Sequence, residues 1–325
     1  MSEKTRGMLL GKFMPPHRGH ELLVRFARGM VDELVVLVCS IEREPIEGWR
    51  RFAWMQEICG GMDVKVIHVQ DEVPQEPAED PDFWEIWRAL VKRYVPERID
   101  YVFASEEYGY RLAEELGARF LPVDLGREQV PISGTAIRNA PLEHWEYLPE
   151  AVRPHYVKKV CVFGPESTGK STLAKKLGVY FQTTVVTEWA RDFLRPTQGL
   201  CKRGDMSWIG RGQIASEEAL SRWANRVLIC DTDPLTTYVW SHFLFEECPG
   251  WLEEEAKRRR YDLTLLMDVD VPWVDDGERY LSEERSAFME RCVEALEWAG
   301  RPYVRIGGGY EERLERAVEE VKKLL

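Results

Sequence analysis

Short, nearly unbroken apolar runs alternate with longer amphipathic stretches along most of the chain. In the first half the runs fall at 8–10, 34–38, 64–69, 101–103 and 119–123, and the stretches between them, 21–30, 49–59, 81–94 and 110–116, carry a helical period. In the second half, runs at 160–163, 184–187, 226–231, 264–267 and 301–306 alternate with predicted helices at 171–181 and 207–226. A last helix is expected over 311–325. A strand apolar on both faces must be covered on both faces, which parallel strands flanked by helices achieve. The expected fold class is α/β, with two parallel-sheet domains. Residues 141–158 break the alternation with three prolines and no clear period. The boundary is set there: a first domain over 1–145, a connection over 146–157 and a second domain over 158–325.

Length and composition agree with this picture and narrow it. A chain of 325 residues is long enough for two cores, and 44% hydrophobic with 31% charged residues is ordinary for a globular protein. The seven cysteines (39, 59, 161, 201, 230, 248 and 292) are scattered and never form CxxC. That argues against a disulfide framework or a zinc site and for a reducing cytoplasm. No apolar run approaches the roughly 18 residues of a membrane span, and the N-terminus has no signal-peptide core. The net charge of −12 disfavours a protein that coats nucleic acid. The basic run 257–260 follows three glutamates, 253–255, and reads as a solvated helix face.

The most specific chemistry lies midway. After the apolar run 160–163 comes Gly164-Pro165-Glu166-Ser167-Thr168-Gly169-Lys170-Ser171-Thr172, the GxxxxGKS phosphate loop, opening a helix. Gly164 and Gly169 let the main-chain N–H groups turn inward around nucleotide phosphates, with Glu166, Ser167, Thr168 and Thr172 in the same ATP-binding segment. Lys170 would reach the β/γ-phosphates and Ser171 would hold Mg²⁺. Downstream, Glu188 and Arg191 end the next strand, where a phosphoryl acceptor sits in such sheets. The run 226–231 ends in Asp231 and Asp233. Asp231 is placed to hold Mg²⁺ through water, and either Asp233 or Glu188 would accept the proton of an attacking hydroxyl. Trp273, Asp275 and Arg279, in a loop bounded by Gly and Pro, suggest a closing lid over a flat ring. Arg279 or Arg285 would neutralise the transferring phosphoryl group.

In the first half, Gly11-Lys12-Phe13-Met14-Pro15-Pro16-His17-Arg18-Gly19-His20 links the first strand to the first helix. The i,i+3 spacing puts His17 and His20 on one face of that helix's first turn, at its positive end. Ser133 suits an N-cap, Thr135 adds a hydroxyl and Arg138 a guanidinium in the stretch Ile132-Ser133-Gly134-Thr135-Ala136-Ile137-Arg138. Trp84 and Trp87 are candidates to stack on a base, with ordinary packing on an amphipathic helix as the competing account. Glu106, after the fourth strand, is a candidate adenine or ribose contact, and Arg43 a candidate phosphate contact.

Together, GKFMPPHRGH and ISGTAIR resemble the HxGH nucleotidyltransferase superfamily, which uses GxFxPxHxGH and ISxTxxR. The resemblance implies a Rossmann-like sheet that transfers a nucleotidyl group from ATP to a phosphate acceptor, releasing pyrophosphate. His17 and His20 would then act on the α-phosphate, and Arg138, Ser133 and Thr135 would hold the β/γ-phosphates. Gly11, Lys12, Phe13 and Glu106 would complete the ATP site. A P-loop kinase C-terminal to such a transferase is similar to the NadR-type bifunctional family of NAD synthesis. GPESTGKST, VVTEWARDF, DTDPLTTYVW and PWVDDGER all resemble that family's kinase half. The implied reactions are phosphorylation of nicotinamide riboside to the mononucleotide (NMN), then adenylylation of NMN to NAD, with ATP as co-substrate and Mg²⁺ as cofactor. The transferase motif starts at Gly11, so the N-terminal helix-turn-helix of some family members is not expected, nor is DNA binding. The expected partners are small molecules, without nucleic acid or membrane, and self-association stays open. The same two chemistries on another nucleoside, or a nucleotide sensor with one weak site, are the alternatives.

Overall fold

The computed structural model describes residues 4–272 and 284–325. It divides into two units, Met1–Val152 and Arg153–Leu325. In the first, the apolar runs become β1 (Arg6–Gly11), β2 (Glu33–Cys39), β3 (Val64–Val69), β4 (Tyr101–Ala104) and β5 (Arg119–Pro122). They are linked by α1 (Arg18–Met30), α2 (Gly48–Ile58), α3 (Phe83–Tyr94) and α4 (Tyr108–Leu116), and α5 (Gly134–Asn139) follows. The strands pair in parallel in the order β3-β2-β1-β4-β5. The strand order reverses between β1 and β4, so their carboxyl ends flank a crevice. One face of the sheet packs against α3 and α4 through Met8, Val35, Leu37, Trp87, Leu90, Val91, Val102 and Leu112. Residues 146–152, placed in the connection, belong to the first unit, and Leu148 and Val152 are buried there.

The second unit begins with α6 (Arg153–Tyr156), then β6 (Lys158–Phe163), α7 (Lys170–Tyr180), β7 (Val185–Val186), α8 (Trp189–Leu194), α9 (Asp205–Leu220) and β8 (Val227–Asp231). It continues with α10 (Pro234–Phe245), α11 (Gly250–Arg258), β9 (Leu263–Met267), α12 (Arg285–Trp298), β10 (Val304–Ile306) and α13 (Tyr310–Lys322). The parallel order is β10-β9-β6-β8-β7, with the strand that feeds the phosphate loop at the centre. Val160, Val162, Leu173, Leu177, Ile229, Leu265 and Ile306 form the core beneath it.

The structure differs from the sequence pattern in several places, and helices α8, α11 and α12 are not among the predicted ones. Helix α10 carries no helical period to predict it by, because it is apolar on most sides and largely buried. The run 301–306 yields only a three-residue strand; Arg301 is buried, and Pro302 has no N–H to donate to a ladder. The helix expected to 226 ends at Leu220. Among the described residues, no helix is long and apolar enough to cross a membrane. The seven cysteines are free, and Arg258 and Arg259 of the basic run pair with Glu255.

Candidate active sites

A cavity of about 830 Å³ opens at the carboxyl ends of β1 and β4 in the first unit. It gathers Gly11, Lys12, Phe13, His17, His20, Glu106, Ser133, Thr135 and Arg138, residues that the sequence scatters over nearly 130 positions. His17 is the N-cap of α1 rather than part of its first turn, and His20 stands at its third position. The two rings lie 3.8 Å apart between centroids. His17 Nδ1 accepts from the Gly19 N–H at 3.2 Å, and His20 Nδ1 accepts from the His17 N–H at 3.1 Å. With both Nδ1 atoms engaged as acceptors, a neutral ring must carry its proton on Nε2. Burial, then the Arg127 guanidinium, lowers His17 to about 4. Burial, then His17 and Arg127, holds His20 well below its ordinary value. At neutral pH this is a pair of uncharged imidazole donors.

Three further residues hold the frame. Ser133 caps α5 by accepting from the Ala136 N–H at 3.1 Å, as expected from its position. Arg138 donates to the Met14 carbonyl and, at 2.9 Å, to Thr135 Oγ1, so it bolts α5 to the histidine loop. Gly134 allows that approach, since a Cβ there would meet the Met14 carbonyl at 2.7 Å. Sequence reasoning missed Arg51, Arg127 and Asp124. Arg51 is fully buried and donates to the carbonyls of Ile46, Lys12 and Cys39 while pairing with Glu44 at 2.5 Å. Arg127 lines the cavity and pairs with Glu106 at 2.9 Å. The Asp124 carboxylate accepts from the N–H groups of Glu128, Gln129 and Val130, pinning the Arg127 loop. No short motif marks them; each acts through partners distant in sequence or through a loop's own main chain.

Trp84 and Trp87 both border the cavity, and both also pack on the core, Trp87 with its indole N–H donated to the Pro74 carbonyl at 2.9 Å. Arg43 does not border it. Its side chain is exposed and sits 3.5 Å from Glu79, which removes it from the phosphate contacts.

The second cavity, about 320 Å³, lies over the phosphate loop. Gly164 (φ 131°), Ser167 (φ 57°) and Gly169 (φ 84°) take the left-handed conformations that curl this loop. At Gly164 a Cβ would lie 3.0 Å from the Met267 carbonyl. Thr168 Oγ1 and Lys170 Nζ each donate to the Pro165 carbonyl at 2.7 Å, drawing the loop around itself. Buried Arg313 donates to the carbonyls of Thr168, Gly308 and Asp268. Arg285 donates to the Val271 carbonyl at 2.9 Å and lies 3.5 Å from that of Ser167. Glu166, Ser167, Gly169, Lys170, Ser171, Thr172, Glu188 and Arg191 border the cavity, facing an apolar wall that includes Met206, Ile209, Trp240 and Leu244. Arg191 stands 3.6 Å from Glu188.

The two aspartates after β8 part company. Asp231 is buried, with Oδ1 unpartnered and the Ser171 hydroxyl bonded to its carboxylate. Burial, then the Glu188 carboxylate, pushes it up to about 6 despite Lys170 nearby. A buried carboxylate with an open oxygen beside a phosphate-loop hydroxyl fits a divalent cation, which would take its remaining ligands from phosphates and water. Asp233 does not fit the role of proton acceptor. It is fully buried, and its Oδ1 caps α10 by accepting from Thr236 N–H at 2.9 Å and Thr236 Oγ1 at 3.0 Å. Its Oδ2 is paired with buried Arg301. With both oxygens engaged, it is a structural cap, and Glu188 alone of the two borders the cavity. Trp273, Asp275 and Arg279 lie outside the described residues.

Comparison with known proteins gives one consistent answer. The family described as AAA domain matches residues 159–313. The chain is 31% identical over 347 aligned positions to the trifunctional NAD biosynthesis/regulator protein NadR of Escherichia coli (strain K12), covering 99% of this chain and 84% of that protein. It is also 30% identical over 156 aligned positions to the nicotinamide-nucleotide adenylyltransferase of Methanocorpusculum labreanum, over 45% of this chain and 87% of that one. Among solved structures, a NadR protein in complex with NR superposes with a TM-score of 0.81 at 22% identity, over 99% of this chain and 96% of that chain. That likeness shows a shared fold.

Proposed function

The chain belongs to the NadR family, and from that premise we propose the following division of labour between its two cavities. The protein is an enzyme of NAD biosynthesis with two activities, ribosylnicotinamide kinase and nicotinamide-nucleotide adenylyltransferase, and it binds ATP. The phosphate-loop unit phosphorylates nicotinamide riboside and the first unit adenylylates the resulting NMN, so one product is the other's acceptor. The observation that carries this assignment is the presence of two phosphate-binding turns, each following the central strand of its own sheet.

In the first cavity, a phosphate oxygen of NMN attacks the α-phosphorus of ATP and pyrophosphate leaves. His17 and His20 offer two neutral N–H donors to the charge growing on the α-phosphate oxygens, and Arg127 and Arg138 supply fixed positive charge. No proton need pass through either ring. In the second cavity, the riboside hydroxyl attacks the γ-phosphorus of ATP and ADP leaves, with Glu188 taking the hydroxyl proton. Lys170 and the loop N–H groups hold the β/γ-phosphates. Ser171 and Asp231 would hold Mg²⁺, which when bound neutralises charge on the transferring phosphates. The residues and the reducing-type cysteine usage support a cytoplasmic enzyme.

Incubation of the purified protein with Mg·ATP and nicotinamide riboside tests the assignment, with products separated by chromatography. NMN followed by NAD is expected. NMN without NAD would remove the transferase role from the first cavity. An untouched riboside beside another phosphorylated nucleoside would overturn the kinase substrate.

A further inference from the structure

Helix α9 contributes one side chain that touches both acidic turns of the second cavity. Gln213 is 2% exposed and stands in the cavity wall. Its Oε1 accepts from the main-chain N–H of Trp189 at 3.0 Å, the residue after Glu188. Its Nε2 donates to the main-chain carbonyl of Thr232 at 3.4 Å, the residue after Asp231. Both attachment points need support. Thr232 sits at φ 69°, an unfavourable conformation for a β-branched residue. Glu188 precedes α8 with no side-chain cap bond to hold the helix start in place. The residue beside Gln213 adds a second grip. At Gly212 a Cβ would lie 2.2 Å from the Trp189 indole, so glycine is what lets the ring seat against α9. Helix α9 therefore holds Trp189 by its amide and by its ring, while the same glutamine reaches the end of β8. A neutral carboxamide suits this bridge because it carries an acceptor and a donor on one rigid group.

We propose that Gln213 is a positioning residue of the kinase site, setting the separation between the turn that bears Glu188 and the strand end that bears Asp231. The proposal rests on reading this cavity as the kinase site. Gln213 acts through Trp189 and Thr232, so its loss displaces the proton acceptor relative to the phosphates without removing any group that binds them. In-line transfer is sensitive to such shifts, and a misplacement of about 1 Å can lower turnover on the order of 100-fold.

The test compares Gln213→Met and Gln213→Glu in the full chain, with Glu188→Gln in parallel. Kinase kcat, KM for riboside and for ATP, adenylyl transfer from NMN, and the melting temperature are measured on each. Gln213→Met is expected to lower kinase kcat about 10- to 100-fold with KM for ATP within about twofold and adenylyl transfer unchanged. Gln213→Glu keeps the acceptor for Trp189 but turns an acceptor toward the Thr232 carbonyl, so it should lower kinase kcat as well; it also serves if the Met variant does not fold. Retained kcat in both variants overturns the proposal. So does a raised riboside KM at unchanged kcat, which would make Gln213 a substrate contact. A fall in both activities together with a lower melting temperature overturns it as well, leaving Gln213 a packing residue. If Glu188→Gln leaves kinase turnover intact, the kinase-site reading itself fails and the proposal goes with it.

Discussion

Both cavities open where the central strand of a parallel sheet runs into a helix, yet the two turns proposed to hold phosphate are built by different means. The second builds its cradle from main chain, with left-handed residues at 164, 167 and 169 and one lysine inside the curl. The first has no such glycine curl and relies on two side-chain donors, held uncharged by burial and by a neighbouring guanidinium. Each solution needs outside bracing, supplied by buried arginines from elsewhere in the same unit: Arg51 for the histidine loop, Arg313 for the phosphate loop. A main-chain cradle keeps its donors whatever the pH, whereas an imidazole pair keeps its state only while it stays dry.

The largest expected effects break the comparison at its two centres. Lys170→Ala should lower kinase turnover by about three orders of magnitude and leave adenylyl transfer intact. His20→Ala should do the reverse, lowering adenylyl transfer about 100- to 1,000-fold with the kinase spared. Separate assays of the two half-reactions check both, and a variant that loses both activities would contradict the separation of sites.

The second test sharpens the distinction between chemistry and scaffold at the end of β8. Asp233→Asn leaves Arg301 buried beside a neutral partner, and breaking such a pair costs about 3–5 kcal/mol. It should appear as a lower melting temperature. Glu188→Gln should instead leave melting nearly unchanged and lower kinase kcat by about 100-fold or more. The opposite pattern would restore Asp233 to the site.

The smallest effect concerns the imidazoles. Folding lowers His17 from its ordinary 6.5 to about 4, so the unfolded chain binds the proton more readily. The associated stability is fully present above pH 6.5 and is lost as pH falls toward 4, by about 3 kcal/mol at most. Denaturant titrations between pH 7 and 4 should show a shallower decline in a His17→Asn variant than in the parent. The His17 imidazole resonances of the free protein should show no midpoint near 6.5 in an NMR pH titration. A midpoint there would mean that the ring titrates normally.

Much of this was legible from the chain alone, for a physical reason. Strand and helix alternation follows from hydrophobic period, a property of neighbours in sequence. The GxxxxGKS curl, the Ser133 cap and the clustering of His17 with His20 depend on contacts within a few residues, and spacing encodes them. What tertiary structure decided were the long-range partners. Nothing in the turn Asp231-Thr232-Asp233 says that Arg301, 68 positions away, will claim one acid and leave the other open beside Ser171. Nothing near Gln213 says that Trp189 and Thr232 will meet it. The charge state of the imidazoles likewise depends on burial and on Arg127, more than 100 residues downstream. Local geometry is written in adjacent residues; which acid stays open and which merely caps a helix depends on desolvation and pairing, and those exist only once the chain has folded.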